Sequence, residues 1–171
     1  MKQIFEAIAE YAQVYEKLEQ LQEAHRDLMP KGDQKTGVIA EFYARLYAQF
    51  AYPGAHLIYG TTSEHAWDIT IQRDGYADHK IQVKAVSIHS TTSRVSNIHP
   101  GWHELYLLRL DRALYPEGFW TILASDAPWA TEKIVGKTMP HRARSGSGSQ
   151  IFRQACDKLG ELNAVLQRSR A

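Results

Sequence analysis

The sequence predicts an α/β domain, with helices towards both ends and strands between them. Stretches near both ends place apolar residues at helical spacing. Between them, two runs alternate apolar and polar residues around Asp74-Gly75, and two further apolar runs, 104–110 and 118–125, read as strands. At 171 residues and 44% hydrophobic content the chain suits one domain, 1–171. It divides into an N-terminal helix over 1–30, a core over 36–125 and a C-terminal helix over 150–168. The single Cys156 offers no intramolecular disulfide and suits a reducing cytoplasm. The start, MKQIFEAIAEYAQ, lacks the unbroken apolar run of a signal peptide, and no stretch is long enough to span a bilayer. A soluble cytoplasmic protein is expected.

Residues 3–28 predict a long amphipathic helix, with Ile4, Ile8, Tyr11, Tyr15, Leu18, Leu21, His25 and Leu28 at spacings of three and four. This helix is expected to pack on its own domain rather than pair with a second copy. Its seam holds tyrosines and His25 where a committed coiled coil has Leu and β-branched residues. Met29-Pro30 ends it. Thr36 or Gly37 opens a second helix, closed by Tyr52-Pro53-Gly54, with Val38, Phe42, Leu46 and Gln49/Phe50 on its buried face and Glu41 at the border of that stripe. Viewed within the helix alone, Glu41 is a solvated acid or the partner of Arg45. Residues 55–60 predict a short strand.

Next comes a hairpin of strands 66–73 and 79–86. Side chains alternate, so Trp67, Ile69 and Ile71 share one face with Ile81, Val83 and Ala85 only if the connecting loop has an odd number of residues. A five-residue loop, 74–78, pairs Arg73 with His79 and sets Asp68 opposite Lys84, with Gln82 one diagonal step away. An acid, an amide and a lysine then share one face. Glu64 is a further carboxylate nearby. Residues 87–103 predict a polar, His-containing loop, 144–150 a flexible linker, and 151–167 a final helix with Cys156 as a packing residue.

Residues 133–171 carry eight Lys/Arg against Asp157 and Glu161, a net +6 on a nearly neutral chain. This suits a polyanion partner as well as an ordinary solvated helix face. The patterns GxxxxGK[ST], GxGxxG and GxSxG are absent, which argues against P-loop, Rossmann and α/β-hydrolase chemistry. His99 and His103 have ligand spacing, but Pro100-Gly101 breaks the helix that would join them, and no cysteine cluster supports zinc.

The remaining constellation resembles the PD-(D/E)xK nuclease superfamily, whose members share the restriction-endonuclease-like fold, a mixed central sheet flanked by helices. Trp67-Asp68 stands in place of the "PD", Gln82-Val83-Lys84 in place of the "(D/E)xK", and Glu41 in place of the acid from the preceding helix. The resemblance covers roughly 36–125. It departs from the pattern at Gln82, a variant known within the superfamily, and in lacking an evident helix in 87–103. It implies an endonuclease in which Mg²⁺, or Mn²⁺ in its place, is held by Asp68, Glu41 and the Gln82 carbonyl. Lys84 then orients the attacking water or neutralises the transition state. DNA contacts are expected from Ser90, Thr91, Thr92, Ser93, Arg94 and Asn97, and from Arg142 and Arg144. A type II restriction enzyme is the first expectation, a homing or junction-resolving enzyme the second, and a homodimer or larger assembly is implied. A non-catalytic nucleic-acid-binding module, or a structural protein that oligomerises through 4–28, are the rival readings.

Overall fold

The computed structural model describes residues 1–24, 35–60, 66–90, 92–142 and 148–170. Its elements run α1 (Lys2–Ala24), α2 (Thr36–Ala51), β1 (His56–Tyr59), β2 (Ile69–Gln72), β3 (His79–Ser87), β4 (Glu104–Leu110), β5 (Pro116–Leu123), β6 (Cys156–Asp157) and α3 (Leu159–Arg170). The strands form one mixed sheet in chain order, with β3 and β4 parallel and every other neighbouring pair antiparallel. The expected α/β architecture is therefore the one that forms. β4 lies near the middle of the sheet with Leu105, Tyr106, Leu107 and Leu108 all buried, which explains its nearly unbroken apolar run.

All three helices contribute to the core on one face of the sheet. There Ala40, Tyr43, Ala44 and Tyr47 of α2 and Leu162 and Leu166 of α3 meet Ile69, Ile71, Ile81, Val83 and Phe119. Among the described residues the opposite face is covered by irregular chain, with no α-helix. Val95, Ile98 and Trp102 from the β3–β4 crossover join Ala127, Ala130, Met139 and Phe152 over Leu105, Leu107, Trp120 and Ile122. A parallel pair needs a crossover, usually helical. This one is instead stitched to residues 134–139, with the Val95 N–H donating to the Lys137 carbonyl and the Ile98 N–H to the Ile134 carbonyl, each at 2.9 Å. So 87–103, expected to be a polar, His-containing loop, also buries three apolar side chains.

Two helix expectations need correcting. The expected stripe of α2 holds only in part: Leu46 is buried and Phe42 partly so, but Val38 is 60% exposed and Phe50 45% exposed. The helix is turned so that Ala40, Ala44 and Ala48 lie flat on the core, and small side chains at this spacing permit close approach. Tyr43 and Tyr47 can then be buried because each hydroxyl finds an acceptor, the Leu114 carbonyl at 3.1 Å and Glu161 at 3.0 Å. The final helix starts eight residues later than expected. Residues 150–152 form a single 3₁₀ turn, and Cys156 and Asp157 add a short edge strand beside Trp120 and Thr121. The Asp157 carboxylate then accepts the Leu159 N–H at 3.0 Å and starts α3. Cys156 is exposed in β6, not a packing residue of a helix.

Candidate active site

The hairpin has the expected parity but a different register. Ile71, not Arg73, sits opposite His79, and Ile69 sits opposite Ile81. A two-residue shift leaves the side chains of the paired residues on their predicted faces, so Ile69, Ile71 and Ile81 are completely buried and Val83 nearly so. It also displaces Asp68 from Lys84 towards Gln82. The longer connection is closed by a turn in which the Tyr76 N–H donates to the Arg73 carbonyl at 3.1 Å. Gly75 takes a φ of 77°, the left-handed value a type II turn requires at its third position.

Regular pairing stops at Asp68, and this irregularity builds the site. The Asp68 N–H donates to the Ile81 carbonyl at 2.8 Å, and its carbonyl accepts the Gly60 N–H at 2.8 Å. Its side chain then does what a strand carbonyl would do: Oδ2 accepts the Val83 N–H at 2.6 Å. Trp67 leaves the apolar stripe at this point. Its ring lies under the Lys80 ammonium, 3.5 Å from the centroid, on the polar side of the hairpin.

Gln82 is only 1% exposed, and both ends of its amide are engaged. Nε2 donates to the Ala66 carbonyl at 2.8 Å, and Oε1 accepts the His99 N–H at 3.2 Å. This side chain ties β3 to the segment entering Asp68 and to the crossover loop.

Glu41 on α2, Asp68 before β2 and Lys84 on β3 feel one another's charge. Burial, with Asp68 adding repulsion and Lys84 opposing it, raises the Glu41 carboxyl to about 7. Burial also raises Asp68, against the Val83 N–H and Lys84, which favour its ionised form. Burial lowers Lys84, while Asp68 and Glu41 pull it back up. Arg45 is not the partner of Glu41. Its guanidinium donates to the Leu57 carbonyl at 2.8 Å and lies over the Tyr59 ring. Among the described residues no salt bridge joins Lys84 to either acid. Nor does any set of three or more His, Cys, Asp or Glu converge there as metal ligands. The oxygen donors at hand are the two carboxyl groups, both disfavoured as anions and both beside a desolvated cation. Such perturbation by burial plus specific charges is characteristic of sites that bind ions or move protons.

The expected DNA contacts divide. Thr92, Ser93 and Arg94 are exposed on the crossover, and Asn97 is half-buried. The Arg94 guanidinium donates to the Gly136 carbonyl, and Arg142 pairs with Asp157 at 2.7 Å. Ser90 turns inward, where its hydroxyl accepts the Ser87 N–H at 2.9 Å. Thr91, Arg144 and Glu64 lie outside the described residues. Two tail arginines pack on rings: Arg168 over Phe50, and Arg170 over both Phe5 and Tyr115.

Sequence reasoning missed two polar clusters. His89, almost fully buried, spans from Glu19 of α1 to the Arg112 carbonyl, at 3.1 Å to each, and anchors α1 to the end of β3. Tyr52 donates to Glu104 at 2.7 Å beside His79, whose ring stacks on His103. Burial pushes Glu104 upward, but hydrogen bonds from His79 and Tyr52 outweigh it and hold the carboxyl below its usual range. Only the hydrophobic neighbours of these residues were visible in the pattern; their partners are distant in sequence.

No protein-family model matches the chain, and no curated protein matches it. Among solved structures it is similar to that of a bacterial homing endonuclease, I-Ssp6803I. The similarity has 14% sequence identity, covers 79% of this chain and 96% of that one, and has a TM-score of 0.41.

Proposed function

We propose that the chain is a metal-dependent endonuclease that hydrolyses phosphodiester bonds of double-stranded DNA, with Glu41, Asp68 and Lys84 as its catalytic residues. One observation carries this reading. What supports it is that burial raises the carboxyls of Glu41 on α2 and Asp68 just before β2 and lowers Lys84 on β3, with the lysine close enough to oppose both upward shifts. Mg²⁺, or Mn²⁺ in its place, fits that donor set, because such ions are commonly held by one or two carboxylates with substrate phosphate completing the shell. When bound, the ion supplies charge neutralisation at the phosphate and a more acidic water.

The chain's own groups do the rest. The Val83 N–H fixes one oxygen of Asp68 and leaves the other for ligation. Glu41 would hold the ion as a carboxylate, and because its carboxyl is raised to about 7 it would have to lose a proton first, so affinity is expected to rise with pH through about 7. The Lys84 ammonium, already desolvated, adds fixed positive charge where negative charge builds on the phosphoryl oxygens. Gln82 is a positioning residue in this reading, not the ligand that the family resemblance implies. Its amide holds Ala66 and His99 on either side of the site. Thr91, Thr92, Ser93, Arg94 and Asn97, with Arg142 and Arg144, contact the DNA. The specific form proposed is a type II restriction endonuclease.

Calorimetric titration with Mn²⁺ at pH 7 tests the metal step. The wild type takes up the ion with net proton release, whereas Asp68→Asn and Glu41→Gln bind at least about tenfold more weakly. Wild-type protein that binds no ion, or variants that bind as tightly as it does, would contradict the assignment.

A further inference from the structure

α1 carries a second apolar stripe beside the face that it buries. The buried stripe holds Phe5 and Ala12, with Ile8 partly buried beside them. A second stripe, Ile4, Ala7, Tyr11, Val14, Leu18 and Leu21, follows spacings of 3, 4, 3, 4 and 3. That is the a/d pattern of a two-helix seam. Tyr11 is half-buried and Ala7 exposed, while Ile4 is 43%, Val14 66%, Leu18 39% and Leu21 47% exposed. A helix that packs one face on its own domain does not need a second apolar face with a seam's period.

We infer that this stripe is the dimer interface, and that the seam residues of α1 pair antiparallel with the same residues of a second copy. Charge selects the occupant and the direction. The residues flanking the seam on its solvent side, at the g positions, are Gln3, Glu10, Lys17 and Ala24. In an antiparallel pair g faces g, so each Glu10 meets the second copy's Lys17, twice across the twofold axis. A parallel pair sets g against e, where Tyr15 stands and Glu10 gains nothing. Size agrees with the same register. Tyr11 faces the second copy's Val14, Ile4 faces its Leu21, and small Ala7 faces its Leu18. The last two layers lie along a groove between α1 and Ile39 at the start of α2, which receives the leucines. The interface is isologous, as a twofold dimer requires. This inference stands apart from the nuclease reading and survives its failure.

Sedimentation of the full chain tests it. The wild type sediments as a dimer, and Leu18→Glu, a change on an exposed position, sediments as a monomer. Either Glu10→Lys or Lys17→Glu turns two attractions into two repulsions and raises the dissociation constant about tenfold. The double variant Glu10→Lys/Lys17→Glu restores both pairs and recovers most of that loss. A wild type that stays monomeric up to about 100 µM overturns the inference. So does a dimer indifferent to Leu18→Glu, or a double variant as weak as the singles. Should Leu18→Glu misfold, the charge series decides alone.

Discussion

Glu41 is the residue on which the electrostatics turn. Its carboxyl titrates at about 7 in the folded protein against an ordinary 4.5, so the folded state holds the proton more tightly than the unfolded chain. Its contribution to stability is therefore largest at low pH, falls as pH rises from about 4.5 to about 7, and stays lost above that. Glu41→Gln removes this cost. Its melting temperature is predicted to exceed the wild type's at pH 8 and nearly match it at pH 4.5, as read by calorimetric melts. An equal difference at both pH values would contradict the raised carboxyl. Gln82 gives a sharper test of role. In Gln82→Glu the Nε2 donor becomes an oxygen facing the Ala66 carbonyl, and a buried acceptor is left without its donor. The variant is predicted to lose about 1–3 kcal/mol in urea melts and to lose activity as well. Were Gln82 a ligand, adding a charge would instead tighten metal binding. Asp68 and Lys84 could be put on one side of the hairpin from alternation alone, whereas Glu41 joined them only through the family resemblance, because nothing in its own helix marks it. The His89 anchor was not readable in the sequence, because its partners are Glu19 and a carbonyl at Arg112, and nothing local marks them.

At the scale of the element, parity was readable and register was not. Period-2 alternation demands an odd loop, and that demand holds. A two-residue slip satisfies the alternation equally well, so the choice between Arg73 and Ile71 as the partner of His79 rests on turn geometry and on Asp68 replacing a ladder carbonyl. The stripe on α2 held at Leu46 and failed at Val38 and Phe50 for a related reason: bulky apolar residues mark one face, but Ala40, Ala44 and Ala48 allow closer packing beside it. The final helix was drawn too early because Ile151, Phe152 and Ala155 match helical spacing while belonging to a turn and the approach to an edge strand. β5 shows how one missing side chain sets local structure. A Cβ on Gly118 would sit 2.3 Å from the Trp120 ring, beside the irregularity at Arg109/Leu110. Gly118→Ala is predicted to cost about 1–3 kcal/mol by displacing that ring, measurable as a lower urea midpoint and altered tryptophan fluorescence. An unchanged midpoint would show that the ring is free to move.

The molecule as a whole is a sheet clad by helices on one side and by stitched irregular chain on the other, with the candidate site where β2 breaks from β3. Composition and patterning were enough to show that helices clad one side, whose periodicity is strong, though not which face of α2 is buried or where α3 begins. The irregular side draws on Val95, Ile98 and Trp102, scattered among polar residues with no period to reveal them. The basic C-terminal region also looks different once folded, since Arg168 and Arg170 lie over aromatic rings and Arg142 pairs with Asp157. Arg170→Ala is predicted to cost about 0.5–1 kcal/mol and to speed amide exchange in α1, because Arg170 links that helix to α3 through Phe5. No change in exchange would mean that the other contacts of α1, among them His89 and the ion pairs of Arg112 with Glu16 and Glu19, hold it without Arg170. The central claim is that Glu41, Asp68 and Lys84 together cut DNA. It is tested most directly by incubating long, mixed duplex DNA with the full chain and Mg²⁺ or Mn²⁺, beside an EDTA control and Lys84→Ala. The account predicts discrete fragments from the wild type, none with EDTA, and a rate at least about 100-fold lower for Lys84→Ala with duplex binding retained. Intact DNA in every lane, or fragments produced equally well by Lys84→Ala, would contradict it.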